Sequence, residues 1–166
     1  QRQMCIRDRD KVYLALFADA DFAGDRRDMK STSGVFLALV GPHTFYPLGF
    51  IARKHVSNAQ SSTEAELIAA CIGVREQGIP ALDLWEKILG RKVQLVLWED
   101  NQSAAKIIKT GKLQKVRHVG RVEGLSIKTL HDWHNKDVFK LMDCHTRVQA
   151  ADIYTKHFVD LSLIHI

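Results

Sequence analysis

Twice in this chain an apolar run stops abruptly on acid. Val12 to Ala18 runs into Asp19-Ala20-Asp21, and Val93 to Trp98 runs into Glu99-Asp100. Short apolar runs rich in strand formers read as buried strands. If the two strands are parallel neighbours, Asp19 and Asp100 both emerge at one carboxyl edge of the sheet, where open α/β sheets place their sites. That pairing constrains the fold more than any other feature of the sequence.

The rest of the chain supplies the elements of such a sheet. Gly24 to Asp28 is a polar turn, Gly34 to Val40 and Phe45 to Ala52 read as two further strands, and Gly41-Pro42 separates them. Three strands joined by short turns suggest an antiparallel meander. From about Ser62 to Gln77 the spacing of Ala65, Ile68, Ala69 and Ile72 predicts an amphipathic helix, opened by Ser61 and Glu64 in the capping-box pattern. Gly78-Ile79-Pro80 reads as a break before a second helix through Trp85 to Leu89. Asn101 is placed to cap a helix carrying Ala104, Ala105 and Ile108. A helix to about Trp133, a fifth strand at Val138 to Met142 and a last helix around Gln149 to His157 complete the chain. The order β-β-β-α-α-β-α-α-β-α predicts an α/β fold in which strands 1 to 3 are antiparallel and strands 1, 4 and 5 are parallel.

Composition narrows the function classes. The chain has 166 residues, 46% of them hydrophobic and 26% charged, which suits one globular domain with a sizeable core. The longest apolar run, Val35 to Val40, is far too short to cross a bilayer, so no membrane partner is expected. Cys5, Cys71 and Cys144 form no CxxC pair and an odd count closes no disulfide framework, so reduced intracellular thiols are expected. A net charge of +5 suits a polyanionic partner. The ends, Gln1 to Asp10 and Leu161 to Ile166, resemble translated sequencing-adapter read-through, so the domain is expected to span residues 11–160, with a non-native tail at 1–10 and another at 161–166.

Two more acids join the pair. Glu66 lies on the first helix beside the apolar stripe, where Ala69, Ala70 and Gly73 allow a close approach to the sheet, and Asp152 lies near Ile153 and Tyr154 on the last. Carboxylates beside core positions are costly to bury unless a cation compensates. Oxygen ligands alone favour Mg2+ or Mn2+ over zinc. A single Asp at a strand end is more often a turn former or a cap, and Glu64 is explained as one. Asp21 and Glu99 are expected to be solvated or to support the others. The four together, on four separate elements, carry the signal.

The strings around these acids resemble a known family. Asp19-Ala20-Asp21-Phe22-Ala23-Gly24-Asp25, Lys30-Ser31-Thr32-Ser33-Gly34, Ser61 to Ala69, Glu99 to Ala105 and Ala151-Asp152-Ile153-Tyr154-Thr155-Lys156 resemble the ribonuclease H domain of copia-type LTR retrotransposons over residues 11–158. The resemblance implies a ribonuclease-H-like fold, a five-stranded mixed sheet flanked by helices. It implies an endonuclease that cuts the RNA strand of RNA–DNA hybrids, working beside the reverse transcriptase domain of the same polyprotein in a cytoplasmic retroelement particle. It places the catalytic and metal-binding acids on Asp19, Glu66, Asp100 and Asp152, and hybrid contacts on Gln102, Ser62 and Thr63. Two Mg2+ ions about 3.5–4 Å apart would then clamp the scissile phosphate, with Mn2+ as a substitute; Asp19 would bridge them. Phe22 departs from the family's usual Trp, the Lys-His pair survives as Arg117-His118, and His145 is expected to be a surface loop residue.

From Lys106 to Arg121 there are six basic residues and no acid. Lys106, Lys109, Lys112 and Lys115 recur every three residues, which predicts one basic side of a helical segment, continued by Arg117 and His118. Such a run is usually a solvated face; following the Asp100 motif, it is expected to track the backbone of the hybrid. The alternative is a catalytically inactive nucleic-acid-binding module or retroelement relic, and a weaker one is another nuclease or transposase of the same broad fold.

Overall fold

The computed structural model describes residues 8–24, 27–56, 58–112 and 127–156. Five strands form one mixed sheet in the order β3-β2-β1-β4-β5. β1 (Tyr13–Asp21) pairs antiparallel with β2 (Thr32–Val40), and β2 pairs antiparallel with β3 (Phe45–Lys54). β4 (Leu95–Glu99) lies parallel to β1, and β5 (Lys140–Asp143) lies parallel to β4. The parallel ends of β1, β4 and β5 therefore open on one edge, as the acid-terminated runs require.

Alternation along the strands assigns the two faces. Leu14, Leu16 and Ala18 of β1, Val35, Leu37 and Leu39 of β2, and Leu95 and Leu97 of β4 are buried in one core. α1 (Ser62–Gly73) packs on this face against β1 and β2, while α3 (Gln102–Thr110) and α4 (Ile127–Asn135) pack on α1 in turn. The expected amphipathic helix is instead buried from Glu64 to Gly73 on all sides. Its outer face is covered by α3 and α4, elements distant in sequence. The opposite face carries a row of rings: Phe17 stacks on Trp98 at 6.1 Å and lies 6.2 Å from Phe36, and Tyr154 lies over Phe36 and Phe50.

Both predicted caps form. Ser61 Oγ accepts from the Glu64 N–H at 3.1 Å, and Glu64 reaches back to the Gln60 N–H at 2.8 Å. Asn101 Oδ1 accepts from the N–H groups of Ser103 and Ala104.

Three local expectations change. Gly78-Ile79-Pro80 does not break the helix: α1 passes through one wide π turn (Val74–Gly78) into α2 (Ile79–Leu89). The Ile79 N–H bonds to the Val74 carbonyl five residues back, a register that accommodates Pro80, which has no N–H to donate. Gly78 serves packing, since a Cβ there would lie 2.7 Å from Leu95 Cδ2. The last helix is two short 3₁₀ turns, Thr146–Val148 and Ala150–Tyr154. Gln149 between them donates from Nε2 to the Ala18 carbonyl at 2.9 Å, so this segment follows the sheet rather than its own hydrogen-bond ladder. The strands also shift, with β1 continuing two residues past Asp19 and β4 and β5 starting two residues later than expected. At the start of the chain, Asp8 is buried and accepts from Thr44 Oγ1 and the His43 N–H, so the packed chain reaches back beyond residue 11.

Gly34 sits where the C-terminal turn crosses β2. A Cβ there would lie 2.7 Å from both the Ala151 carbonyl oxygen and Thr155 Cγ2. Gly34→Ala should lower stability by about 1–3 kcal/mol in denaturant unfolding, as overpacked sites do. Unchanged stability would show that the crossing is loose.

Candidate active site

Asp19 stands on β1 opposite Gly34, on the face that the C-terminal turn covers, and only 8% of it is exposed. Thr155 Oγ1 donates to Asp19 Oδ2. Glu66 arrives from the helical layer, one turn beyond the capped start of α1, and is 7% exposed. The backbone of Ala20, next to Asp19, hydrogen-bonds to its carboxylate. Asp100 follows the last residue of β4 and is half-buried, its position set by the Asn101 cap that starts α3. One carboxylate oxygen each from Asp19, Glu66 and Asp100 lie within 4.8 Å of one another.

The electrostatics of this cluster are one-sided. Burial pushes the Glu66 carboxyl up to about 10, and the charges of Glu99, Asp19 and Asp100 push the same way. Burial raises Asp19 to about 6 against the Thr155 hydrogen bond, with Asp152 and Asp100 adding to the rise. Glu66 Oε2 is buried without a hydrogen-bond partner. Unpartnered carboxylate oxygen is expensive in a protein interior. Three converging carboxylates, one of them with an orphaned oxygen, fit a hard divalent cation.

Asp152 stands apart. Its charge acts on Asp19, but it is not among the three converging acids, and its carboxylate is ion-paired with Lys156, one turn along. The polar candidates line the starts of two helices. Ser62 is exposed and Thr63 half-buried in the first turn of α1, and Gln102 is exposed at the start of α3. Of the basic run, Lys106 and Lys109 lie exposed on α3, with Lys109 Nζ 3.9 Å from Asp143. Gly111, at φ 63°, ends the helix, so Lys112 does not continue the stripe. Lys115, Arg117 and His118 lie outside the described residues. His145 is exposed and caps a 3₁₀ turn, its Nδ1 accepting from the Arg147 N–H.

An RNase H1 isolated from compost by a metagenomic approach superposes with a TM-score of 0.57 at 10% identity, over 86% of this chain and 92% of that one. The N-terminal RNase H domain of a Mycobacterium tuberculosis protein, solved as a fusion with maltose-binding protein, gives 0.52 at 12% identity, over 87% and 91%. A foamy viral protease–reverse transcriptase in complex with dsDNA gives 0.50 at 12% identity, over 87% and 91%. This chain has the ribonuclease-H-like fold. No protein-family model matches the sequence.

Within this ribonuclease-H-like sheet, sequence reasoning missed the groups that hold the acids. Thr155 on Asp19, Lys156 on Asp152 and Gln149 on β1 all belong to the segment expected to be a regular helix. Glu99, expected to be solvated or to support the others, is 1% exposed. Its spacing from Leu95 and Leu97 put it on the buried side of β4, and that alternation was the available signal.

These shifts fix a pH dependence. An acid whose folded pKa is raised favours folding least once it must ionise, so stability is highest at low pH and is lost as pH rises. The window runs from 3.8 to about 6 for Asp19 and from 4.5 to about 10 for Glu66. Glu76, held below its usual value by hydrogen bonds from Arg53 and Arg75, acts in the opposite sense, its contribution being lost as pH falls. In the presence of chelator the Tm should fall between about pH 5 and about pH 9, and Glu66→Gln should flatten that fall. A Tm that rises across this range would contradict the assignment.

Proposed function

We propose that this chain is a metal-dependent endonuclease, a ribonuclease H that hydrolyses the RNA strand of RNA–DNA hybrids during retrotransposon reverse transcription. The observation that carries the reading is the convergence of Asp19, Glu66 and Asp100 oxygens within 4.8 Å at the carboxyl edge of the sheet. The motif strings around those acids, of copia type, supply the substrate class.

Asp19, Glu66 and Asp100 would hold Mg2+ or Mn2+, with Asp152 on the far side of Asp19. When bound, such cations activate water as a nucleophile and stabilise the leaving oxygen of a phosphodiester. The chain's own part is positioning. Thr155 fixes the Asp19 carboxylate, and the Gln149 bond to β1 keeps the Asp152 segment against the sheet. Ser62, Thr63 and Gln102 flank the acids at two helix starts, where they face the hybrid and read its 2′-hydroxyl groups. Lys106 and Lys109 contact phosphates, which supplies affinity without sequence choice. The reverse transcriptase domain of the same polyprotein is the expected partner, supported by the foamy viral neighbour.

The Lys156–Asp152 ion pair favours a second reading, a module that grips hybrid without cutting it, because it engages the fourth acid. Incubation with labelled RNA–DNA hybrid, single-stranded RNA and duplex DNA, with and without Mg2+, separates the two. Loss of RNA from the hybrid alone, and only with metal, is expected. Asp19→Asn and Asp100→Asn should each reduce that cleavage at least about a hundredfold, beyond the loss typical of residues that only support a ligand. Their circular dichroism should be unchanged, since mutual repulsion among the acids falls. Normal cleavage by either variant would defeat the proposal, and metal-dependent binding without cleavage would favour the second reading.

A further inference from the structure

Glu99 is the last residue of β4, and the alternation of Leu95, Leu97 and Glu99 turns its side chain toward the helical layer that carries Glu66. It is 1% exposed, more deeply buried than Asp19 or Glu66. Its Oε1 accepts from the Asn101 N–H at 3.2 Å, while its Oε2 is buried with no hydrogen-bond partner. The charges of Glu99, Asp19 and Asp100 all act on Glu66 in the same direction. The charged groups acting on Glu99 are likewise acids, Asp100 and Asp19. Asp152 differs: it is only half-buried, and it is ion-paired with Lys156.

Buried polar atoms are almost always satisfied, and two buried carboxylates that each keep an orphaned oxygen call for a counter-charge. We infer that Glu99 is an additional carboxylate of the cation centre, a positioning and charge-supplying residue behind Glu66 that strengthens divalent-cation binding at Asp19, Glu66 and Asp100. The inference rests on reading the acidic edge as a cation centre. It adds that the strength of the centre depends on a residue outside the four acids of the motif pattern.

A purely structural role is the competing account, in which Glu99 serves only as the acceptor for the Asn101 N–H. Glu99→Gln separates them, because the amide oxygen keeps that acceptor and removes the charge. Glu64→Gln is the control, removing another buried carboxylate that caps α1 through the Gln60 N–H. Mn2+ binding to the full chain, measured by titration calorimetry, should weaken about 10- to 100-fold in Glu99→Gln, the range seen for residues that support metal ligands. Glu64→Gln should bind as the parent does. Parental affinity in Glu99→Gln overturns the role of Glu99 alone, whereas absence of Mn2+ binding by the parent overturns the cation centre with it. Equal weakening in both variants also overturns it, as a loss of net charge would act alike on each. A Glu99→Gln chain that fails to fold contradicts the inference too, since an unpaired carboxylate is a cost to the cation-free fold.

Discussion

Carboxylates repel one another, yet the chain brings three of them to one edge of its sheet and buries two almost completely. Much of the architecture serves that convergence. Parallel pairing of β1 with β4 brings Asp19 and Asp100 out together. Small residues along α1, with Gly73 only 3.1 Å from Val35 Cγ1 if given a Cβ, bring the helix close enough for Glu66 to reach the same edge. The C-terminal turns cross over Gly34 and place Thr155 on Asp19. The hydrophobic core therefore stabilises an arrangement that electrostatics alone would push apart.

The two faces of the sheet divide the work. On one, α1 is enclosed by the strands and by α3 and α4, which gives Glu66 a rigid support. On the other, the row of Phe17, Phe36 and Trp98 carries the C-terminal segment through Tyr154. Asp19 belongs to that second face and Glu66 to the first, so the acids meet around the end of the sheet. A rigid edge of this kind holds charged groups in place without spending binding energy to gather them.

What the sequence made legible was local. Apolar runs ending in acid gave the strands and their shared edge, and Ser61 and Asn101 announced helix starts because a cap acts on its own next turn. What it hid depended on distant partners. The periodicity of α1 shows a stripe but not the helices that bury its other side. Gly78-Ile79-Pro80 looks like a stop until Leu95 is seen packed against Gly78 and the π turn absorbs Pro80. Regular spacing of lysines suggested one basic stripe, whereas Gly111 turns the chain after Thr110. The C-terminal segment looked helical, and only its contacts with β1 and β2 explain why it is not. Of the site itself, the acids were visible as a pattern. The depth of Glu99 and the pairing of Asp152 with Lys156 were not.

On this reading a cation makes the crowd of negative oxygens tolerable. Anomalous diffraction from crystals soaked in Mn2+ tests that most directly. The expected result is a peak between the carboxylates of Asp19, Glu66 and Asp100, with Glu66 still turned into the edge. A map with no peak there, or with Glu66 swung away to solvent, would contradict it.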